Sequence, residues 1–171
     1  MLGILYPDCT AASAYTIPYE KLWQKGVRGL LFDIDNTLVP HGAPATEESV
    51  ALFARLHEIG FATCLISNNK DPRVKPFADA MDTDYLCDAH KPSGKGFRKA
   101  CAQMGTDEKN TVFIGDQIFT DILGANLAGL PNILVKPLDP HEEIQIVFKR
   151  KLERPILWLY HRKKRLKKGR T

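Results

Sequence analysis

Two carboxylates stand one residue apart, Asp33 and Asp35, at the end of a short apolar run, Leu30-Leu31-Phe32. That run suits a buried strand and is too short for a helix. Acids at its exit would sit at the carboxyl edge of a sheet, where open α/β folds bind ligands. Two acids so close repel unless a cation lies between them or one holds a proton. The spacing therefore points to a divalent ion, an acid–base pair, or both. The same stretch also reads as a polar turn, because Asp, Asn and Thr side chains bond readily to nearby backbone. Taken alone, it leaves the two readings level.

Polar residues recur after later apolar runs. Residues 61–66 lead into Ser67-Asn68-Asn69, residues 85–87 are followed by His90-Lys91-Pro92, and residues 111–114 end in Gly115-Asp116-Gln117, with Thr120-Asp121 close behind. Acids hold a hard cation, while hydroxyl, amide and ammonium groups hold phosphate oxygens. Gathered at one sheet edge, they would make a metal-assisted phosphoryl-transfer site. Each also has an ordinary reading: Ser67 and Asn68 as a strand cap, Lys91 as a solvated lysine, Asp116 and Asp121 at a helix start. His41, in the loop above Asp35, reads as a surface residue.

The elements that must position these groups alternate. Thr46 caps a helix over 46–59 with acids near its positive end, and Leu52, Leu56 and Ile59 form its apolar stripe. A strand over 61–66 follows. Asp71 as cap and Pro72 in the first turn open a helix to about residue 80. Next come a strand over 85–87, a helix over 94–104, a strand over 111–114, a helix over 118–128 and a strand over 133–135. Alternation of this kind predicts an α/β, Rossmann-like three-layer fold around a central parallel sheet of about five strands.

The four motifs, in this order, resemble the haloacid dehalogenase superfamily of phosphohydrolases, over about residues 28–135 and with no motif position departing from the pattern. The closer likeness is to its capless class IIIA branch, the YqeG-type phosphatases. The resemblance implies Asp33 as a nucleophile that becomes an aspartyl-phosphate, and Asp35 as the acid and base. It implies Mg²⁺ held by Asp33, the Asp35 main-chain carbonyl and Asp116, with Ser67, Asn68 and Lys91 on the phosphoryl group. Asp121 would steer Lys91 or a metal-bound water from behind. Cap domains in this superfamily sit between the motifs. Only 31 residues separate Asp35 from Ser67, and 23 separate Ser67 from Lys91, against the ~50 that a domain normally needs. An open site suits a bulky substrate: a lipid headgroup, a phosphoprotein or a nucleic-acid end.

The chain has 171 residues, with 44% hydrophobic and 26% charged, an ordinary balance for a folded protein. No apolar stretch approaches the ~20 residues that cross a bilayer, and no basic n-region opens a secretory signal. Cys9, Cys64, Cys87 and Cys101 are scattered without a Cys-x-x-Cys pair, which fits a reduced, cytoplasmic setting. The net charge of +4 is lopsided: residues 149–170 carry +10, with Glu153 their lone acid, and the rest of the chain carries −6.

This divides the chain into a core over 1–140 and a basic extension over 141–171. In the extension, Ile144, Val147, Phe148 and Leu152 form a stripe expected to pack on the core, and Pro155 is expected to interrupt the helix. The basic end beyond reads first as a solvated tail, then as a contact for the inner face of an anionic membrane, at about 1 kcal/mol per basic residue, or for RNA. The leading function is a Mg²⁺-dependent phosphomonoesterase, with phosphatidylglycerophosphate suggested by the resemblance. The alternatives are a nucleotide or polynucleotide-end phosphatase, or a non-catalytic adaptor binding RNA or a ribosomal partner.

Overall fold

A computed structural model describes residues 2–139 and 144–168, apart from the side chains of residues 2, 144–151 and 166–168. Six parallel strands form the central sheet in the order β1-β6-β5-β2-β3-β4. They are β1 (Cys9–Ala11), β2 (Gly29–Phe32), β3 (Ala62–Ile66), β4 (Asp84–Leu86), β5 (Thr111–Gly115) and β6 (Asn132–Val135). The α/β class and the parallel sheet match the reading of the sequence.

The count exceeds the expected five by β1, whose exposed Cys9 and Thr10 show no buried-strand signature. Its place comes from main-chain pairing with β6, which no apolar pattern announces.

β2 and β5 are buried along their whole length. Leu30 and Phe32 face one core cluster and Leu31 faces the other, which explains why the strand is apolar at every position rather than at alternate ones. The first cluster lies under α1 (Tyr19–Gln24), α2 (Glu47–Ile59) and α3 (Asp71–Met81). The second lies under α4 (Gly94–Gln103) and α5 (Leu123–Ala128).

Thr46 and Ser49 cap α2 reciprocally, and Gly60 ends it in the left-handed conformation at φ 109°. At α3 the cap falls on Lys70 instead of Asp71. Asp71 lies in the first turn, where its carboxylate accepts a hydrogen bond from the Tyr85 hydroxyl at 2.7 Å. The expected helix over 118–128 begins as a widened π-turn, Ile118–Ile122, in which the Ile122 N–H reaches the Gln117 carbonyl at 3.1 Å. Such turns concentrate at functional sites.

A last helix, α6 (Ile144–Lys168), runs through Pro155 without a break. Proline inside a helix costs about 3 kcal/mol. Pro155 is exposed, and packing on both sides of it offsets that cost. Ile156 joins Ile118, Ile122 and Leu134 in a third apolar cluster, and the Tyr160 ring lies 5.8 Å from that of Tyr6. Of the expected stripe, Leu152 is exposed, and the side chains of Ile144, Val147 and Phe148 lie outside the described residues. The face that packs is Glu153, Ile156 and Tyr160. Among the described residues, no helix is long and apolar enough to cross a membrane.

Candidate active site

β2 and β5 pair side by side, with Phe32 opposite Ile114, so their exits bring Asp33 next to Gly115 and Asp116. Between these strands the chain order switches direction across the sheet, the crevice where open α/β folds bind ligands. The Asp33 N–H donates to the Ile114 carbonyl at 3.0 Å, fixing where its side chain starts.

Lys91 reaches this point from the loop after β4. The Asn68 side chain clamps its main chain twice, accepting from the Lys91 N–H at 2.6 Å and donating to the Lys91 carbonyl at 3.1 Å. From there the Lys91 ammonium donates to Asp33 Oδ1 at 2.6 Å and to Asp121 Oδ1 at 2.8 Å. The other oxygen of Asp121 accepts the N–H groups of Asp116 at 3.2 Å and Gln117 at 3.0 Å. That return path explains Gly115: a Cβ there would stand 2.7 Å from Asp121 Oδ2, a separation that real side chains do not tolerate.

Asp33, Asp116 and Asp121 are all buried, and each offers an oxygen within 4.8 Å of the others. Among the described residues, the Lys91 ammonium pairs with two of these carboxylates, Asp33 and Asp121. Burial pushes the Asp33 carboxyl up to about 7; Lys91 beside it pulls the other way, and the charges of Asp121 and Asp35 push it further up. Lys91 is itself buried, which disfavours its charge, but Asp121 and Asp33 outweigh that and hold it well above the ordinary lysine range. Three buried carboxylate oxygens this close together are a donor set that a hard divalent cation fits. Asp33 and Asp116 suit it best, because both oxygens of Asp121 are already engaged.

Asp35 occupies a different environment. Its carboxylate accepts from Asn69 Nδ2 at 2.7 Å, from the Arg73 guanidinium at 2.8 Å and from the Gly42 N–H at 2.9 Å. His41 Nδ1 lies 3.9 Å away on a side chain that is 43% exposed, so His41 is a surface residue that also borders the site. Ser67 is buried, and its hydroxyl accepts the Asn69 N–H at 3.1 Å. Asp33, Asp35, Ser67, Asn68, Lys91 and Asp121 line one cleft of about 180 Å³. Asp116 lies beside it within the carboxylate cluster. All seven residues singled out in the sequence therefore converge. Asn68 differs in detail: its side chain holds the Lys91 main chain, where a phosphate contact was expected.

Four participants were not singled out. Thr37 donates to Asp116 Oδ1 at 3.4 Å, and Asn69 and Arg73 orient Asp35. The fourth is Glu153 of α6, a buried carboxylate that accepts the Ile118 N–H at 2.7 Å. Two acids from opposite directions, Asp121 and Glu153, thereby take the successive N–H groups of residues 116, 117 and 118. A visible signal for Glu153 existed, since it is the lone acid in a run of eleven basic residues. For Arg73 only its place in the first turn of α3, shortly after Ser67, pointed the way.

Two outcomes are expected. In protein freed of divalent cations, Asp33→Asn should raise the melting temperature near neutral pH. A folded-state value of about 7 against an ordinary 3.8 means that folding loses stability as Asp33 ionises across that window. The gain should be largest above pH 7 and fade towards pH 4, as thermal unfolding across pH would reveal. Glu153→Ala strands the buried Ile118 N–H and should cost about 1–3 kcal/mol. Glu153→Gln keeps an acceptor and should cost less in the same unfolding measurement.

Comparison with known proteins agrees with this geometry. The family model of haloacid dehalogenase-like hydrolases matches residues 42–129. The chain is 37% identical over 158 residues to the probable phosphatase YqeG of Bacillus subtilis, covering 92% of each protein. It is 30% identical to the chloroplastic phosphatidylglycerophosphate phosphatase 1 of Chlamydomonas reinhardtii, over 88% of this chain and 60% of that protein. Among solved structures, the cobalt-bound deoxy-D-mannose-octulosonate 8-phosphate phosphatase of Haemophilus influenzae superposes with a TM-score of 0.53 at 13% identity, over 67% of this chain and 70% of that one; at that identity the likeness concerns the fold. The sheet-edge carboxylates and the matched sequence lead to one conclusion: the chain belongs to the haloacid dehalogenase-like hydrolases, in the YqeG phosphatase group.

Proposed function

We propose that the protein is a Mg²⁺-dependent phosphomonoesterase in which Asp33 takes the phosphoryl group and Asp35 moves the protons. The observation that carries this reading is the buried contact of 2.6 Å between Lys91 and Asp33, inside a cluster of three buried carboxylates. Asp33 attacks phosphorus, and the departing alcohol oxygen takes a proton from Asp35. Asp35 then accepts a proton from the water that attacks the aspartyl-phosphate, releasing phosphate and restoring Asp33.

Lys91 and the Ser67 hydroxyl bind phosphoryl oxygens, and Asn68 acts through Lys91 by fixing its main chain. Asp121 holds the Lys91 ammonium from behind. Asn69, Arg73 and the Gly42 N–H aim the Asp35 carboxyl. Asp33, Asp116 and the Asp35 main-chain carbonyl would hold the metal, which supplies positive charge that favours ionised Asp33 and offsets the phosphoryl oxygens.

For the substrate we favour phosphatidylglycerophosphate. The name of the 30%-identical algal relative and the uncapped site both support a bulky lipid phosphate. α6 adds a physical argument: Trp158 is 61% exposed, the Arg162 guanidinium lies over its ring at 5.4 Å, and Lys163, Lys164 and Arg165 are exposed beside them. An aromatic anchor flanked by cations suits the inner face of an anionic membrane.

The test is hydrolysis of an aryl phosphate with Mg²⁺ and with a chelator. Chelation should stop turnover, and Asp33→Asn should lower kcat by about 10³-fold or more. Full turnover in that variant would overturn the reading. Preference for nucleotides over short-chain phosphatidylglycerophosphate would redirect the substrate to nucleic-acid chemistry.

A further inference from the structure

The cleft at Asp33 is small, and Asp35 is walled by Asn69 and Arg73 from beyond β3 and by His41 from the loop after β2. A bulky alcohol has to extend elsewhere. On the opposite side, a groove of about 740 Å³ runs along the carboxyl ends of β6 and β1 beneath α6, and Asp116 is part of its lining. Ligand pockets usually span roughly 300–1,000 Å³, so the groove has the size of a substrate, not of a packing defect.

Its walls differ in chemistry. Ala11, Leu134, Val135 and Leu157 give it an apolar floor. Lys136, Arg154 and His161 bring cationic or N–H donor groups to its flank, and Lys136 and Arg154 are exposed to an incoming ligand. Among the described lining residues, the acids are Asp116 and Glu153, and Glu153 is held by the Ile118 N–H. The groove is also tied to the reacting centre. The loop after β6 that forms its rim donates from the Leu138 N–H to the Asn36 carbonyl at 3.1 Å, inside the segment that carries Asp33 and Asp35.

We propose that this groove binds the alcohol portion of the substrate, and that it selects a phosphomonoester whose alcohol bears a second anionic group, of phosphodiester type, next to an apolar segment. Lys136 and Arg154 pair with the second anion, His161 donates to it, and the floor formed by β1, β6 and Leu157 takes the start of the apolar part. None of these residues touches the reacting phosphorus, so they act on which ester is bound. The inference rests on the phosphomonoesterase reading and assigns the residues that recognise the alcohol of its substrate.

The test compares three esters on the full chain: dihexanoyl phosphatidylglycerophosphate, its deacylated form, which keeps the second anion, and glycerol 3-phosphate, which has neither feature. The wild-type protein should rank them in that order by kcat/KM. The double variant Lys136→Ala, Arg154→Ala should lower kcat/KM for the first two, relative to glycerol 3-phosphate, by roughly tenfold or more, the scale of one charge-assisted contact, and should do so through KM. Calorimetric titration of Asp33→Asn with the deacylated ester should show weaker binding of the same order when the two substitutions are added. Equal losses on all three esters, or unchanged ratios, would overturn the groove assignment. Absence of hydrolysis of every ester and of an aryl phosphate would instead remove the phosphomonoesterase reading itself.

Discussion

One buried ammonium holds this site together. Lys91 lies between Asp33 and Asp121, within hydrogen-bonding distance of both, with almost no contact with water. In such surroundings charges interact far more strongly than in bulk water, and an unpaired one is costly. Burial above all, with the charges of Asp121 and Asp35 added, keeps the resting Asp33 carboxyl hard to ionise despite Lys91 beside it, and the three clustered carboxylates suit a divalent cation.

The scaffold exists to maintain that arrangement. Asn68 grips the Lys91 main chain, so the lysine is aimed by its backbone as well as by its partners. Gly115 leaves room for Asp121 to fold back beneath the strand end, and the π-turn after Gln117 brings it there. Glu153 secures the next N–H from a helix more than thirty residues downstream. α6 is therefore more than an appended basic segment, since a buried part of it meets the loop that follows Asp116. Outward it presents Trp158 and Arg162, and it forms one wall of the groove that Asp116 also lines.

Much of this was legible in the sequence, for physical reasons that can be named. β2, β3 and β5 are apolar runs that end in polar residues, and a parallel sheet covered on both faces has to read that way. Asp33, Asp35, Ser67, Lys91 and Asp116 could be placed because the chemistry stands at strand exits. What escaped depends on long-range pairing. β1 owes its place to hydrogen bonds with β6, and its three residues carry no pattern. Pro155 looked like a break, but tertiary packing of Ile156 and Tyr160 holds α6 continuous. Leu152 looked like core and faces solvent, while Glu153, noted only as the lone acid of a basic segment, is buried. A buried acid whose partner is a backbone N–H leaves no periodic trace.

The claim at the centre is that Asp33 becomes covalently phosphorylated. Its most direct test is borohydride reduction of enzyme quenched in acid during turnover, followed by peptide mass mapping. An aspartyl-phosphate is reduced to homoserine, and that conversion is expected at residue 33 alone, lost when substrate is omitted. Conversion at another carboxylate, or none while phosphate is still being released, would contradict it.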